Sequence, residues 1–247
     1  MYICRVNVRA TLASFRIPET QTFHQTLPLP PITTLIGLMG AAIGLSYEDA
    51  YNFAIENRLF FGVTGTSNGS MKDLWNYRKF TSKEKKFTPE DVAQRKNYSI
   101  VLKEYLYKCE FNLYYGCTVS ETMERIVTGF YYPHYPLSAG SSDDLLKVIS
   151  VERFEKDLGN SRQFRDTVIE GDLRGQYEVS DDIFNKPIYD QIKSPRTFSL
   201  PVKFEFEGQV RKVKARRSYT FIGDRIELKD QRQCLIYDGE NVELYTI

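Results

Sequence analysis

The sequence predicts an α+β fold whose first part is a ferredoxin-like, or RRM-like, unit. Three observations indicate this: stretches that alternate apolar and polar residues, helical stretches between them, and 17 Tyr and 16 Phe among 247 residues, because aromatic residues favour strands. The predicted order is strand, helix, strand, strand, helix, strand, the βαββαβ arrangement that RNA-recognition modules also use. We expect this core to cover residues 1–155 and a β-rich region to cover residues 156–247.

Composition narrows the functional classes. The net charge is +1, so a nucleic-acid role must rest on local basic patches. Four scattered cysteines without CxxC spacing and only two histidines, His24 and His134, predict no metal site, and we expect no cofactor. Free cysteines are typical of a reducing cytosol, and the alternating N-terminus is unlike a signal peptide. We therefore expect a cytoplasmic protein with no membrane partner.

The first predicted strand covers residues 2–15, where apolar and polar residues alternate. A polar loop over residues 16–26 follows and is rich in side-chain hydrogen-bond donors. These donors are Arg16, Gln21, His24 and Gln25.

A helix is predicted to begin after three prolines at positions 28, 30 and 31, which form a stiff extended lead-in. Thr33 or Thr34 offers a hydroxyl to cap its first turn. The free N–H groups of such a helix start suit an anion such as a phosphate. The alternative interpretation is an ordinary capped, buried helix.

Three glycines mark one face of this helix. Gly37, Gly40 and Gly44 recur at i, i+3 and i+7, and each costs about 1 kcal/mol relative to alanine. A face this smooth predicts a closely packed neighbour, most simply a β-sheet. A second amphipathic helix is expected to begin at a Ser46 cap.

Residues 72–108 form a basic segment with ten Lys or Arg against five Asp or Glu. Its middle lacks apolar periodicity and is typical of a long hairpin tip inserted into the core. Its aromatic residues and cations interleave: Trp75, Tyr77, Phe80 and Phe87 with Arg78, Lys79, Lys85 and Lys86. This combination suits single-stranded nucleic acid. A solvated β-arm with aromatic residues packed at its base is the equally weighted alternative.

The second half of the core is predicted as a strand over residues 99–115, a helix over residues 118–131 capped by Ser120, a small-residue loop over residues 138–142 and a strand over residues 145–151. Further strands are predicted within residues 197–247. In one of them Lys212, Lys214 and Arg216 share a face. A solvated surface is the favoured interpretation there, with nucleic-acid binding as the alternative.

Several stretches resemble the CRISPR-associated RAMP proteins of family five, the I-B-like subunits that hold the 5′ end of the guide RNA in the type I surveillance complex, Cascade. The resemblance covers residues 1–155 and is carried by SFR…QTLPLPPITTLIGLMGAAIGL, FFGVTGT…KDLWNYRK, VLKEYLYKCEFNLYY and YPLSAGSSDD. It implies a ferredoxin-like core with a long β-hairpin thumb, here at about residues 69–107. It also implies a role in antiviral defence.

The resemblance also implies the partners and the site. The partners are the 5′ handle of the guide RNA (crRNA), the Cascade backbone subunit and the Cascade large subunit, with target DNA reached only indirectly. The RNA-binding residues implied for the handle surface are Ser14, Arg16, Gln21, His24, Gln25, Thr33, Thr34, Gly140 and Ser141. The thumb adds Trp75, Tyr77, Arg78 and Lys79.

Two other functions remain open on the sequence. One branch of the family resembles metal-independent ribonucleases that use a tyrosine, a lysine and an adjacent histidine, since RNA cleavage needs a base and a cation. Tyr47 compares with that tyrosine, but the sequence has no Lys-His pair, so we expect a binder with no catalytic residue. A scaffold that contacts mainly proteins is the second alternative.

Overall fold

The computed structural model describes residues 1–20, 23–78, 98–181, 185–187, 191–208 and 210–247. The first strands are β1 Tyr2–Ala13, β2 Phe15–Arg16, β3 Phe23–His24, β4 Thr26–Leu27, β5 Phe60–Ser67, β6 Ser70–Arg78, β7 Tyr98–Cys117 and β8 Leu146–Glu155. The remaining strands are β9 Gly159–Phe164, β10 Thr167–Glu170, β11 Tyr177–Val179, β12 Arg196–Glu207, β13 Val210–Ile222, β14 Ile226–Tyr237 and β15 Glu240–Val242. The helices are α1 Ile32–Ile43, α2 Tyr47–Glu56 and α3 Ser120–Tyr131.

One large sheet organises the described residues. Its strand order is β12-β13-β10-β5-β7-β1-β8, with β3 and β6 pairing to β7 outside this path. All neighbours are antiparallel except the short β3, which runs parallel to β7. The predicted α+β class, with mostly antiparallel strands and few helices, is therefore confirmed.

The 20-residue strand β7 pairs with different strands in its two halves. Its first half pairs with β6, from Tyr98 opposite Arg78 to Leu106 opposite Ser70. Its second half pairs with β5 on one side and β1 on the other. Gly69, whose φ of 142° is positive, lies between β5 and β6. The hairpin β6–β7 therefore extends from the end of the core sheet.

The glycine face of α1 packs against a helix, which corrects the prediction of a sheet neighbour. A Cβ on Gly40 would lie 2.6 Å from the Cβ of Ala50 in α2, and the nearest atoms to Gly37 belong to Tyr47. Gly129 of α3 likewise leaves room for Ile43, because a Cβ on this glycine would lie 2.5 Å from the Ile43 Cγ2. Small residues thus let three helices pack closely over the sheet.

The structure confirms the predicted N-cap of α2 and contradicts the predicted N-cap of α3. Ser46 does cap α2, because its hydroxyl accepts a hydrogen bond from the Asp49 backbone N–H at 3.2 Å. The prediction for Ser120 is wrong, since Val119 is the N-cap of α3 and makes no side-chain cap bond. Because the helix begins at Ser120, this residue lies in the first turn. Its hydroxyl accepts a hydrogen bond from the Arg153 side chain at 2.6 Å.

The opposite face of the sheet is covered by the C-terminal strands. Val242 and Leu244 lie over Gly62, where a Cβ would meet them within 2.8 Å. Glu240 accepts hydrogen bonds from Thr64 at 2.9 Å and Asn112 at 3.1 Å, and also from the Tyr114 hydroxyl. Burial and the nearby Glu240 carboxylate raise the pKa of Tyr114. This face is therefore closed by a hydrogen-bonded polar network.

The region after residue 156 shares the core with the first part of the chain. Val168, Leu200, Val202 and Phe221 belong to the same hydrophobic cluster as the residues of β1 and α1. The further strands predicted within residues 197–247 correspond to β12, β13, β14 and β15. Within the described ranges, no helix has the length and hydropathy needed to cross a bilayer.

Candidate nucleic-acid interface

Three segments that are far apart in the sequence meet at the start of β7. The Ser14 backbone N–H donates to the Ala139 carbonyl at 3.0 Å, and the Ser14 hydroxyl donates to the Glu104 carbonyl at 2.9 Å. The Glu104 carboxylate accepts a hydrogen bond from the Thr26 N–H at 3.1 Å. These bonds join the polar loop after β1, the strand β7 and the loop before β8. We call this place the junction.

Gly140 lies directly on the backbone of Ser14 at the junction. Its φ is 100°, and a Cβ at this position would lie 2.1 Å from the Ser14 carbonyl oxygen. Only glycine fits, because any side chain would be strained and would also clash. Two of the predicted site residues are thus brought together, but Ser14 is buried and uses its polar groups within the protein.

A lysine cage lies beside the junction and is formed by Trp75, Lys103, Tyr105 and Asp144. The Lys103 ammonium lies 4.5 Å from the centre of the Trp75 ring and 4.4 Å from that of Tyr105. Its Nζ is 4.0 Å from Oδ2 of Asp144, and the two side chains are only 12% and 6% exposed. The cage therefore connects β6, β7 and the loop before β8.

Burial shifts the pKa values of the ionisable side chains in the lysine cage. It lowers the pKa of Lys103, an effect that Asp144 opposes. It raises the pKa of Asp144, whose Oδ2 accepts no hydrogen bond from any described residue, and it raises the pKa of Tyr105 to about 12. A cation held between two rings and one carboxylate is a cation–π arrangement that fixes the hairpin to the core.

The polar loop runs beside this junction. β2 pairs with β4, so Arg16 lies opposite Thr26. Arg16 is exposed and donates to the Thr20 carbonyl at 3.2 Å. β3 adds to the edge of β7, which places half-buried His24 opposite Lys103, and Gln25 is exposed beside it. Arg16, His24 and Gln25 therefore lie on one surface next to the junction.

Trp75 is half-buried on β6. Its indole N–H donates to the Asp73 carboxylate at 3.0 Å, and one ring face contacts Lys103. Ser141 is half-buried in the loop before β8, where its carbonyl accepts from the Asp144 N–H at 3.1 Å. Tyr77 and Arg78 lie in β6. Gln21 and Lys79, with the predicted hairpin tip, lie outside the described residues.

The predicted capping role of Thr33 and Thr34 is wrong. The N-cap of α1 is Pro31, and no side chain caps this helix. The Thr34 N–H already donates to the Pro31 carbonyl at 2.8 Å. Because the proline lead-in continues to the helix start, both threonines fall inside the first turn, where their side chains are half-buried.

The predicted basic face of β13 is neutralised by acidic partners. Lys212 pairs with Glu207 at 2.6 Å, and Lys214 pairs with Glu205 at 2.5 Å. Arg216 pairs with Glu19. These exposed pairs favour the interpretation of a solvated surface over a phosphate-binding strand.

The residues considered for the ribonuclease alternative lie in different environments. Tyr47 packs against Phe204 and Phe206 of β12, its hydroxyl is buried, and burial raises its pKa to about 12. His134 packs against Gly44 at the end of α1. Among the described residues, no group of His, Cys, Asp or Glu is arranged to hold a metal ion.

Sequence reasoning missed Lys103, Glu104 and Asp144. A signal was present for the first of these, because Lys103 interrupts an apolar face that also carries Val101 and Tyr105. Glu104 lies on the opposite face of the same strand. Asp144 gave no such signal, since it follows an ordinary polar loop in the sequence.

Comparison with known proteins identifies the family. The family model described as "CRISPR-associated protein (Cas_Cas5)" matches residues 4–218. A solved chain titled "CRISPR RNA-guided surveillance complex" is similar at 14% identity and a TM-score of 0.51, over 87% of this chain and 88% of that chain.

A weaker likeness, with 12% identity and a TM-score of 0.48 over 100% of both chains, is to "Crystal structure of a CRISPR protein from Archaeoglobus fulgidus". No curated protein sequence matches this chain. The likeness to the surveillance-complex chain concerns the fold, while the family model spans nearly the whole sequence. The chain therefore belongs to the CRISPR-associated Cas5 family, as the resemblance in its sequence predicted.

Proposed function

We propose that this protein is a non-catalytic subunit of a type I CRISPR surveillance complex that binds the 5′ handle of the guide RNA. The observation that carries the proposal is the junction. The loop after β1 and the loop before β8 are the segments that the family resemblance assigns to the handle. They meet through Ser14, Glu104 and Gly140 at the start of β7. The RNA surface is formed by Arg16, His24 and Gln25 with the loop at Gly140 and Ser141.

The strand order supports a ferredoxin-like core with a thumb. The four strands β5-β7-β1-β8 are antiparallel neighbours, and helices connect β1 to β5 and β7 to β8. This is the order expected of a βαββαβ unit. The hairpin formed by β6 and the first half of β7 comes between the second strand and the core part of the third, and it is the proposed thumb. Much of the positive charge of residues 72–108 falls on residues 79–97, which lie outside the described residues.

The covered sheet face directs the RNA to the junction. RNA-recognition modules stack bases on exposed aromatic residues of their sheet. Here Tyr114 is buried beneath Glu240, and Gly62 is buried beneath Val242 and Leu244. RNA therefore binds at the edge of the sheet, beside β3 and β6, where Arg16 and Lys72 are exposed.

The environments of the candidate catalytic side chains support a binding role. A general base must reach the proton that it removes and must have a pKa near the working pH. Burial raises the pKa of Tyr47 to about 12, and its hydroxyl lies among the aromatic residues of β12.

The protein acts in antiviral defence in the cytoplasm. It docks the backbone and large subunits of the complex, and it reaches target DNA only through them.

Direct RNA binding tests this proposal. The protein, co-expressed with its neighbouring subunits, should retain a guide RNA with a fixed 5′ sequence. An RNA that carries this 5′ handle should bind more tightly than one with a scrambled handle. The affinity should fall steeply with salt, because several phosphates are neutralised. Incubation with repeat RNA without metal should leave the RNA intact.

Three results would overturn the proposal. Specific cleavage of the repeat RNA would favour the metal-independent endoribonuclease. Assembly with the subunits but without any handle preference or salt dependence would favour the protein-contacting scaffold. Absence of both RNA binding and assembly would exclude a role in the complex.

A further inference from the structure

A group of large apolar side chains is exposed around the turn after α3. We call it the tyrosine face. Tyr132 is 82% exposed and Leu145 is 67% exposed. The whole group is Tyr131, Tyr132, Tyr135, Leu145 and Ile149. Contiguous exposed aromatic residues mark interaction surfaces, and tyrosine is enriched at the energetic centres of protein interfaces.

The turn that carries the tyrosine face is held in one conformation. The N–H groups of His134 and Tyr135 donate to the carbonyls of Ala42 and Ala41 at the end of α1, each at 3.0 Å. The Tyr131 hydroxyl donates to the Val151 carbonyl at 2.9 Å. A surface that is already ordered loses little conformational entropy when a partner binds.

The neighbouring strand β8 is the last strand of the sheet. In the described part of the chain its only strand partner is β1. The Leu146 N–H donates to the Leu137 carbonyl and the Val151 carbonyl accepts from the Tyr131 hydroxyl, so the edge between these two residues is the part that can pair with another strand. The pairing is irregular near Val8, and Ile149 at this irregularity is 42% exposed. Edge strands with exposed apolar residues are templates for an added strand.

Two cavities flank the turn, and His134 lines both. The larger, of about 640 Å³, lies between the turn and β8 and is lined by apolar groups that include Pro136, Leu146 and Val148. The smaller, of about 530 Å³, lies against α3 and is lined by Glu121, Glu124 and Arg125, among others.

The charges of the smaller cavity favour a basic partner. Arg125 is held over the ring of Phe53 at 5.0 Å. Glu124 makes an exposed pair with Arg153 at 3.2 Å, which is weak enough to be exchanged. Glu121 adds a second carboxylate. Two carboxylates against the single cation Arg125 leave the lining with a negative charge, which repels phosphates and attracts a lysine or arginine.

We propose that the tyrosine face and the outer edge of β8 form a docking surface for an extended segment of another protein subunit. The segment pairs its backbone with β8, inserts apolar side chains into the larger cavity and places a basic side chain beside Glu121 and Glu124. This inference rests on the proposed role in a multi-subunit complex. It separates a protein-docking side from the RNA-binding junction.

The test uses the protein co-expressed with its neighbouring subunits and guide RNA. Ile149→Lys puts a charge on the edge strand, Tyr132→Ala removes the most exposed ring, and Glu121→Lys reverses a cavity charge. We expect each variant to weaken association with one neighbouring subunit at least about tenfold, while affinity for the 5′ handle RNA stays within about twofold. Hydrogen exchange of the β8 amides should slow on assembly in the wild type.

A matched control is Ile55→Lys on α2, where the native side chain is 50% exposed, and it should assemble like the wild type. The inference is overturned if all three variants assemble normally, if Ile55→Lys is equally impaired, or if RNA affinity falls instead. If the wild type still binds the 5′ handle RNA in these cases, the proposed function is not contradicted. Failure of the wild type to assemble or to bind RNA would overturn the proposed function and this inference with it.

Discussion

Two long hairpins carry basic residues in this protein, and they use them differently. In β12–β13, the lysines at 212 and 214 and Arg216 are exposed and paired with glutamates. In β6–β7, the largely covered Lys103 lies between Trp75 and Tyr105. Lys72, which is exposed, lies over the ring of Phe23 at 5.2 Å.

The difference teaches that a run of positive charge does not by itself indicate nucleic-acid binding. Acidic residues on the facing strand and in the loop after β2 hold Lys212, Lys214 and Arg216 in ion pairs, so this face of the hairpin is not an unpaired basic surface. Cations contact aromatic rings in both hairpins, since Arg211 of β13 lies over Tyr47 and Phe204, but the contacts made by Lys103 of β7 lie beside the junction. Position beside the junction, rather than the combination of rings and cations, is therefore the reason to test β6–β7 for RNA binding.

The largest expected effect comes from the lysine cage. Lys103→Met should lower the free energy of unfolding by about 2 kcal/mol at pH 7, because it removes two cation–π contacts and leaves the Asp144 carboxylate without its cation. Denaturant unfolding followed by circular dichroism measures this. The matched change Lys214→Met, in an exposed pair, should cost less than about 0.5 kcal/mol. Equal losses would show that the two lysines have the same role.

The next effect concerns the tip of the proposed thumb. Residues 79–97 should be replaceable by an Asn-Gly turn, since Arg78 and Tyr98 are cross-strand partners. The variant should keep its melting temperature within a few degrees and lose handle affinity about thirtyfold, because several phosphate contacts disappear. Calorimetry and RNA titration measure the two quantities. A collapse of the melting transition would assign these residues to the core.

A smaller effect is expected for the loop at the junction. Replacing Arg16 and His24 together by alanine should weaken handle binding about fivefold and reduce the slope of log K against log salt by about one. Fluorescence titrations at several salt concentrations measure this. The control is Lys212→Ala with Lys214→Ala, which should change the affinity by less than about twofold. If the control has the larger effect, RNA binds at β12–β13.

The smallest expected effect is the pH dependence of the stability that Asp144 contributes in the lysine cage. Burial raises the pKa of Asp144 in the folded protein. A carboxyl whose pKa is higher in the folded protein than in the unfolded chain stabilises the fold most when the pH is below its pKa in the unfolded chain, about 3.8. This contribution is lost as the pH rises through its pKa in the folded protein.

Asp144→Asn should therefore become more stable relative to the wild type as the pH rises from about 4 to about 7, by less than about 1 kcal/mol. Unfolding curves at several pH values measure the difference. A relative loss of stability over the same range would mean that Lys103 outweighs burial and lowers the pKa of Asp144.

The sequence by itself determined the class of the fold, the position of most strands in the first part, and the family. Alternation over residues 2–15 and 99–115 corresponds to β1 and β7 because both strands have one buried side. The motifs around the proline lead-in and the glycine helix were specific enough to indicate the Cas5 family. These signals are local, and each can be recognised in a short stretch of chain.

The tertiary structure decided which residues meet. It brought Gly140 onto Ser14, and Asp144 to Lys103, across 126 and 41 positions of sequence. It showed that the glycines of α1 face α2 and that Pro31 occupies the N-cap position of this helix. It also paired Glu205 and Glu207 with two lysines of β13. It also covered the sheet face with the C-terminal strands. Such pairings depend on strand register and on packing between distant segments, and a local pattern of residues contains neither.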